Sequence, residues 1–208
     1  MQIISHRGYW IKSSEKNKIK AFERSFGLGY GTETDVRDYN GKLVISHDIA
    51  DSKSMTLKDF FILYNKNGKN LPLALNIKSD GLHKQLLTEL NENQIHNYFV
   101  FDMSIPDTIN YNNYNINFYS RLSEYEKYPV LYNQSKGIWL DAFNSIWYDK
   151  DIILELLKDR KKVVLVSNEL HKRDHIVLWN KIKEWGLDSE DEFILCTDYP
   201  EKANKFFI

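Results

Sequence analysis

Two histidines, two carboxylates, an arginine and a lysine stand where short apolar runs give way to polar residues. His6 and Arg7 close the run that starts at Gln2, and His47 closes residues 43–47. Lys78 closes residues 73–78, two positions after Asn76. In "GTETDVRDYNGKLVISHD" (31–48), Thr32, Thr34 and Val36 alternate with Glu33, Asp35 and Arg37. That period of two is a strand, and it puts two carboxylates and a guanidinium on one face. Buried charge is costly unless it is paired or bound to a cation, so this face must hold something. In one pocket these residue types suit a phosphodiester. Carboxylates can hold a hard divalent cation. The cation, with Arg7 and Lys78, can neutralise phosphoryl oxygens. One imidazole can take a proton from the attacking hydroxyl or water while the other gives one to the leaving alkoxide.

The elements that must position these groups follow from periodicity. Strands are expected at 2–5, 31–36, 73–78, 98–102, 115–121, 137–141, 163–167 and 193–197. Helices are expected near 18–28, 57–65, 82–93, 105–111, 124–133, 151–159, 174–185 and 201–207. Residues 43–47 form an extra short strand. Asn40-Gly41 before it is a hairpin signal that folds it back on the acidic strand.

Eight strand-then-helix units with one appended hairpin predict an α/β chain, a single compact (β/α)8 TIM barrel over 1–208. An open doubly wound sheet is the runner-up, but its phosphate loops are absent. In a barrel, function gathers at the C-terminal ends of the strands. Asp102, Arg121, Asp141 and Asp198 also fall at such ends. Asp141, Trp139 and Arg121 are candidate pocket residues, with Trp139 a possible stacking wall for a sugar or base.

Composition narrows the function classes. Lys and Arg number 28 against 29 Asp and Glu, a net charge of −1, so no basic stripe points to nucleic acid. No apolar run is long enough to span a bilayer, and no basic cluster implies stable membrane anchoring. The opening residues lack the basic n-region of a secretory signal, so a cytoplasmic protein is expected. The lone Cys196, in an apolar run, reads as a buried structural thiol.

Several stretches, in order, resemble one family. "HRG" (6–8), "NKIKAFERSFGLGYGTETDV" (17–36), "NGKLVISHD" (40–48) and "CTDYP" (196–200) are similar to motifs of the glycerophosphodiester phosphodiesterases, TIM barrels of the phospholipase C-like phosphodiesterase superfamily. The resemblance implies metal-assisted hydrolysis of a small-molecule phosphodiester. It makes His6 and His47 the general acid/base pair and sets Arg7 and Lys78 on the phosphate. Glu33, Asp35 and Asn76 take the places of the metal ligands, for one Mg or Ca ion per site.

Three departures bear on that reading. Asn76 stands where the family has a third ligand Glu, which removes a negative charge and should lower metal affinity. Lys16 and Lys18 stand where the family often has Glu and Thr. Residues 48–72 have room for one helix only, where the family inserts a cap of several tens of residues. An open site and a bulkier substrate, such as a phosphodiester-linked sugar, are therefore expected. Two alternatives stand beside hydrolysis: a phospho-sugar binding module with little or no turnover, and a metal-independent phosphodiesterase or cyclising lyase.

Overall fold

The computed structural model describes residues 1–208, with ten strands and seven α-helices. They fall into two compact units, one of Ser5–Phe118 and one of Met1–Ile4 with Tyr119–Ile208. The first strand, β1 (Gln2–His6), begins in the second of these and ends in the first.

In the unit Ser5–Phe118, β1 leads through a loop into α1 (Ile19–Gly27) and β2 (Gly31–Tyr39). The hairpin then forms as expected: β3 (Lys42–Ile45) pairs antiparallel with β2, with Val36 opposite Ile45 and Tyr39 opposite Lys42. Asn40 and Gly41 turn it with φ of 48° and 74°, the two positive values this tight turn needs. The two-residue β4 (Met55–Thr56) adds to β3, and α2 (Leu57–Asn67) follows, so 48–72 does hold a single helix.

On its other edge β2 pairs parallel with β5 (Leu73–Ile77), which sets Asp35 beside Asn76. Next, α3 (His83–Glu92) leads to β6 (Tyr98–Phe101), parallel to β5, and α4 (Ile105–Asn113) ends the unit's regular structure. Helices α1 and α2 bury aromatic faces together, Phe22 lying edge-on to Phe60 at 4.7 Å between ring centres. Phe26 packs so closely on the turn after α2 that a Cβ at Gly68 would come within 2.7 Å of its ring.

The other unit carries β7 (Tyr119–Leu122), β8 (Gly137–Leu140), β9 (Lys162–Val166) and β10 (Phe193–Thr197), parallel at each pairing. Helices α5 (Lys150–Lys158), α6 (His175–Trp185) and α7 (Pro200–Phe207) cover them. Trp179, Ile138, Leu165, Phe193 and Leu195 lie within one core cluster there. Asp149 and Asp174 cap α5 and α6 through Ile152 N–H and Ile176 N–H. Cys196 is fully buried, as its apolar run implied.

The helix expected at 124–133 does not form. Pro129 removes a backbone donor from its middle, and Leu131 adopts a left-handed φ of 50°. Ser123 instead closes a local turn, its hydroxyl accepting from the Tyr125 and Glu126 N–H groups.

Candidate functional site

The site starts where β1 ends. Arg7 and Gly8 both take left-handed backbone, with φ of 61° and 80°. Glu33 makes this possible: its carbonyl and its Oε2 both accept from Arg7 N–H, at 3.0 and 3.1 Å. Gly8 N–H donates to Thr32 Oγ1 at 3.0 Å. A Cβ on Gly8 would lie 2.7 Å from Ala21 Cβ, so the position admits only glycine. His-Arg-Gly is thus a backbone geometry that turns the Arg7 side chain onto the acidic strand.

There it meets Asp35, which is fully buried. Arg7 Nε lies 3.1 Å from Asp35 Oδ2, and Asn17 Nδ2 donates to the same oxygen at 2.8 Å. Lys78 Nζ lies 3.3 Å from Oδ1. The lysine is fixed by its own backbone: its N–H donates to Val36 O, and its carbonyl accepts from Arg37 at 3.1 Å. Arg37 follows Asp35 with the same parity, yet its bond goes to the Lys78 carbonyl.

Glu33, 1% exposed, has His6 Nε2 at 4.0 Å from its carboxylate. Burial pushes the Glu33 carboxyl well above the usual carboxylate range, and the Asp35 charge pushes the same way. Arg7 and Lys78 oppose that rise without cancelling it.

His47 arrives on the far end of the hairpin. Ser46 N–H still pairs with Asp35 O at 3.0 Å, which carries the strand to its last residue before the histidine. His47 is partly exposed, and its Nδ1 lies 2.9 Å from Asp48 Oδ1. Its bond and charge hold the Asp48 carboxyl below its ordinary value. His47 and Arg7 line one cavity of about 270 Å³, together with Asn17, Lys16, Lys18 and Asp48 among others.

The donor set fits a hard cation. Asp35 Oδ1 and Asn76 Oδ1 are buried oxygens that accept no hydrogen bond, on neighbouring strand positions. With the Glu33 carboxylate they make an all-oxygen set of two carboxylates and one amide. No group of three or more His, Cys, Asp or Glu residues suited to a metal occurs, and the third oxygen here is that of an asparagine.

Asn17 is the site residue that chemistry-led reading passes over. It bridges two neighbours on β2, donating to Asp35 and accepting from Thr34 Oγ1 at 2.9 Å, from a left-handed φ of 57°. Its signal was its place at the head of "NKIK" and the tolerance of asparagine for positive φ.

Asp141, Trp139 and Arg121 belong to the other unit. Asp141 Oδ1 lies 2.7 Å from His171 Nε2 and accepts from Ala142 N–H. Trp139 is buried. Arg121 Nε lies 3.0 Å from Glu126, and its guanidinium sits 5.7 Å from the centre of the Phe143 ring. His83 and His175 are half-buried against Tyr111 and Tyr114 and against Trp179 and Tyr199 respectively.

No family model matches the sequence, and no curated protein matches it. Solved structures do. A phosphodiesterase from Oleispira antarctica, in complex with the product sn-glycerol-3-phosphate, superposes with a TM-score of 0.70. It is 16% identical, over 99% of this chain and 96% of its own. The glycerophosphodiester phosphodiesterase of Agrobacterium tumefaciens gives 0.69 at 12% identity, over 97% of both chains. The fold is that of the glycerophosphodiester phosphodiesterases. It is a TIM barrel, as the strand–helix alternation predicts. Phosphoribosyl anthranilate isomerase from Thermus thermophilus also matches, at 0.52 and 9% identity over 100% of this chain and 96% of its own. One barrel thus hosts unlike reactions, and the reaction must be argued from the residues. No helix is long and apolar enough to cross a membrane.

Proposed function

We propose that this chain hydrolyses a phosphodiester with the help of one divalent cation. The observation that carries the reading is the clamp on Asp35: Arg7 at 3.1 Å and Lys78 at 3.3 Å, with Arg7 and His47 on one cavity. Two cations held rigidly by a buried carboxylate are aimed before substrate arrives, and that is the arrangement electrostatic catalysis needs. Glu33, Asp35 and Asn76 would hold the ion, Mg or Ca. When bound, it supplies further positive charge at the phosphoryl oxygens.

The chain's own residues do the rest. Arg7 and Lys78 bind the non-bridging oxygens. One of His6 and His47 takes the proton of the attacking oxygen, from water or a neighbouring hydroxyl, as its bond to phosphorus forms. The other protonates the alkoxide as the opposite P–O bond breaks. Asp48, accepting from Nδ1–H, leaves His47 Nε2 for this exchange.

The products are an alcohol and a phosphate monoester, or a cyclic phosphate where an adjacent hydroxyl attacks. The O. antarctica structure holds a phosphate monoester of glycerol. The single helix of 48–72 favours a diester with a bulky substituent, such as a linked sugar.

The test is turnover of a panel of glycerophosphodiesters with and without a chelator. His6→Ala and His47→Ala should each lose about 10²–10⁴-fold in rate, the span of one acid/base group. Full activity in either variant refutes the assigned chemistry.

A metal-independent version has one observation in its favour: Lys78 Nζ already faces the Asp35 oxygen that the ion would use. Rates and melting temperature indifferent to chelator would select that version.

A further inference from the structure

The acidic strand carries one more charged group, which the proposed reaction does not use. Arg37 lies two residues beyond Asp35, on the same face of β2 and about 7 Å farther along the strand. The β2–β5 register, with Val36 opposite Ile77 and Lys78 N–H on Val36 O, puts Arg37 beside Lys78. Glu33, Asp35 and Arg37 on one strand and Asn76 and Lys78 on the next thus form one continuous polar face.

Arg7 and Lys78 both lie against Asp35, at 3.1 and 3.3 Å. Arg37 forms no ion pair. Its Nη2 donates to the Lys78 carbonyl at 3.1 Å, which fixes where the guanidinium lies. The side chain is half-buried, and its buried Nε finds no acceptor. Asp38, next in sequence, belongs to the opposite face and accepts from Ser79 Oγ at 2.7 Å. Asp48 is exposed and already engaged by His47. Its carboxyl is held down by His47 first and then by the charges of Arg7 and Arg37. Arg37 is therefore within electrostatic reach of the cavity wall that His47 and Asp48 form.

A guanidinium keeps its proton at any working pH, so burial cannot neutralise it. A half-buried charge with only a carbonyl beside it is costly, and an anion supplied from outside offsets that cost. A carboxylate is the match. One charge meets one charge, and both groups are planar, so two parallel N–H···O bonds can form. The Arg37 Nη1 is not engaged by the protein and is not sealed from solvent.

We propose that Arg37 is a specificity-determining residue that binds a carboxylate on one substituent of the diester, next to the phosphate held by Arg7 and Lys78. This rests on the phosphodiesterase reading for the position of the phosphate.

Glycerophosphoserine and glycerophosphoethanolamine differ by one carboxylate, and both carry the ammonium group. The experiment compares their turnover by the full chain, with a divalent cation present, in the wild type and in Arg37→Gln. The glutamine keeps an amide donor for the Lys78 carbonyl and loses the charge. In the wild type glycerophosphoserine should have about tenfold higher kcat/KM, the scale of one charge-assisted pair. The preference should shrink as salt is added. In Arg37→Gln the ratio of the two substrates should fall to within about twofold. A loss transmitted through Lys78 lowers both substrates alike, so the ratio reports the carboxylate alone. A ratio near one in the wild type, or a preference that survives in the variant, overturns the proposal. If Arg37→Gln does not fold, Arg37→Lys replaces it. Its ammonium lacks the planar fork, so the preference should fall by about threefold or more, and an undiminished preference overturns the proposal.

If neither diester is turned over, the phosphodiesterase reading fails and calorimetric titration of the same two compounds decides the role of Arg37. Tighter binding of glycerophosphoserine by the wild type, lost in the variant, supports it. Equal binding of the two compounds, or none, overturns it.

Discussion

Arg7 touches both acidic residues of β2, its guanidinium Nε 3.1 Å from Asp35 Oδ2 and its backbone N–H 3.1 Å from Glu33 Oε2. One residue therefore contacts both members of the acidic pair and holds a cation beside Asp35. A lysine keeps the charge but not the planar fork or its fixed direction. Arg7→Lys is expected to lower kcat/KM on a glycerophosphodiester by about 10²-fold or more, the cost of losing a preorganised charge. The fold should survive, because the backbone bonds to Glu33 do not depend on the side chain. Steady-state kinetics with a melting curve check both halves; unchanged kinetics would remove Arg7 from the site.

Asn17 has no charge and no part in proton transfer, yet Asp35 relies on it. Asn17→Ala removes the 2.8 Å bond to Asp35 and the 2.9 Å bond from Thr34. A buried carboxylate that loses a donor costs about 1–3 kcal/mol. The variant should melt lower, by about 2–4 °C for each kcal/mol in a chain of this size. Because Asp35 positions Arg7 and Lys78, kcat should fall more than KM rises. A melting shift with kinetics intact would limit Asn17 to a structural role.

Glu33 gives the pH dependence. Its carboxyl lies above the ordinary value of 4.5 in the folded chain, through burial first and the Asp35 charge second. Folding then takes up a proton, so Glu33's contribution to stability is most favourable at low pH. It weakens as pH rises from about 4.5 through the raised folded value. Glu33→Gln keeps an acceptor for Arg7 N–H without the charge. In the absence of divalent cations it should melt above the wild type at pH 8, and the gap should close toward pH 4.5. Melting curves across that range read the sign. A wild type that is the more stable at pH 8 would mean that Arg7 and Lys78 outweigh the burial.

How much of this could be seen in the sequence depends on how local each cause is. The acidic face of β2 and the Asn40-Gly41 hairpin were legible because alternation and a two-residue turn are local signals. His-Arg-Gly was legible as a motif, but its reason lies in Glu33 and Ala21, which sequence places far away. Arg37 lies by parity on the same strand face as Glu33 and Asp35, which suggests a carboxylate partner. Parallel pairing of Val36 with Ile77 instead brings the Lys78 carbonyl within its reach. The helix at 124–133 failed on Pro129, which apolar periodicity alone outweighed. Asn17 was hidden because a loop asparagine shows its partners only once the chain has closed on itself.

Asn76 decides how strongly the site holds a cation. It stands beside Asp35 across the β2–β5 pairing, with its Oδ1 buried and accepting no hydrogen bond. Asn76→Asp keeps the shape and adds a carboxylate to two others. Like charges so close raise each other's proton affinity and strain the fold. Without divalent ions the variant should melt below the wild type at neutral pH. A cation relieves that repulsion, so Mg or Ca should raise the variant's melting temperature more than the wild type's. At about a hundred times Kd the ligand contributes about 2.7 kcal/mol to either chain, so the comparison is made at one fixed ion concentration, where tighter binding yields the larger shift. Calorimetric titration of the ion into both chains should show the same order. Equal responses, or a wild type that binds the ion more tightly, would place the cation away from Asn76 and leave Lys78 as the charge that serves Asp35.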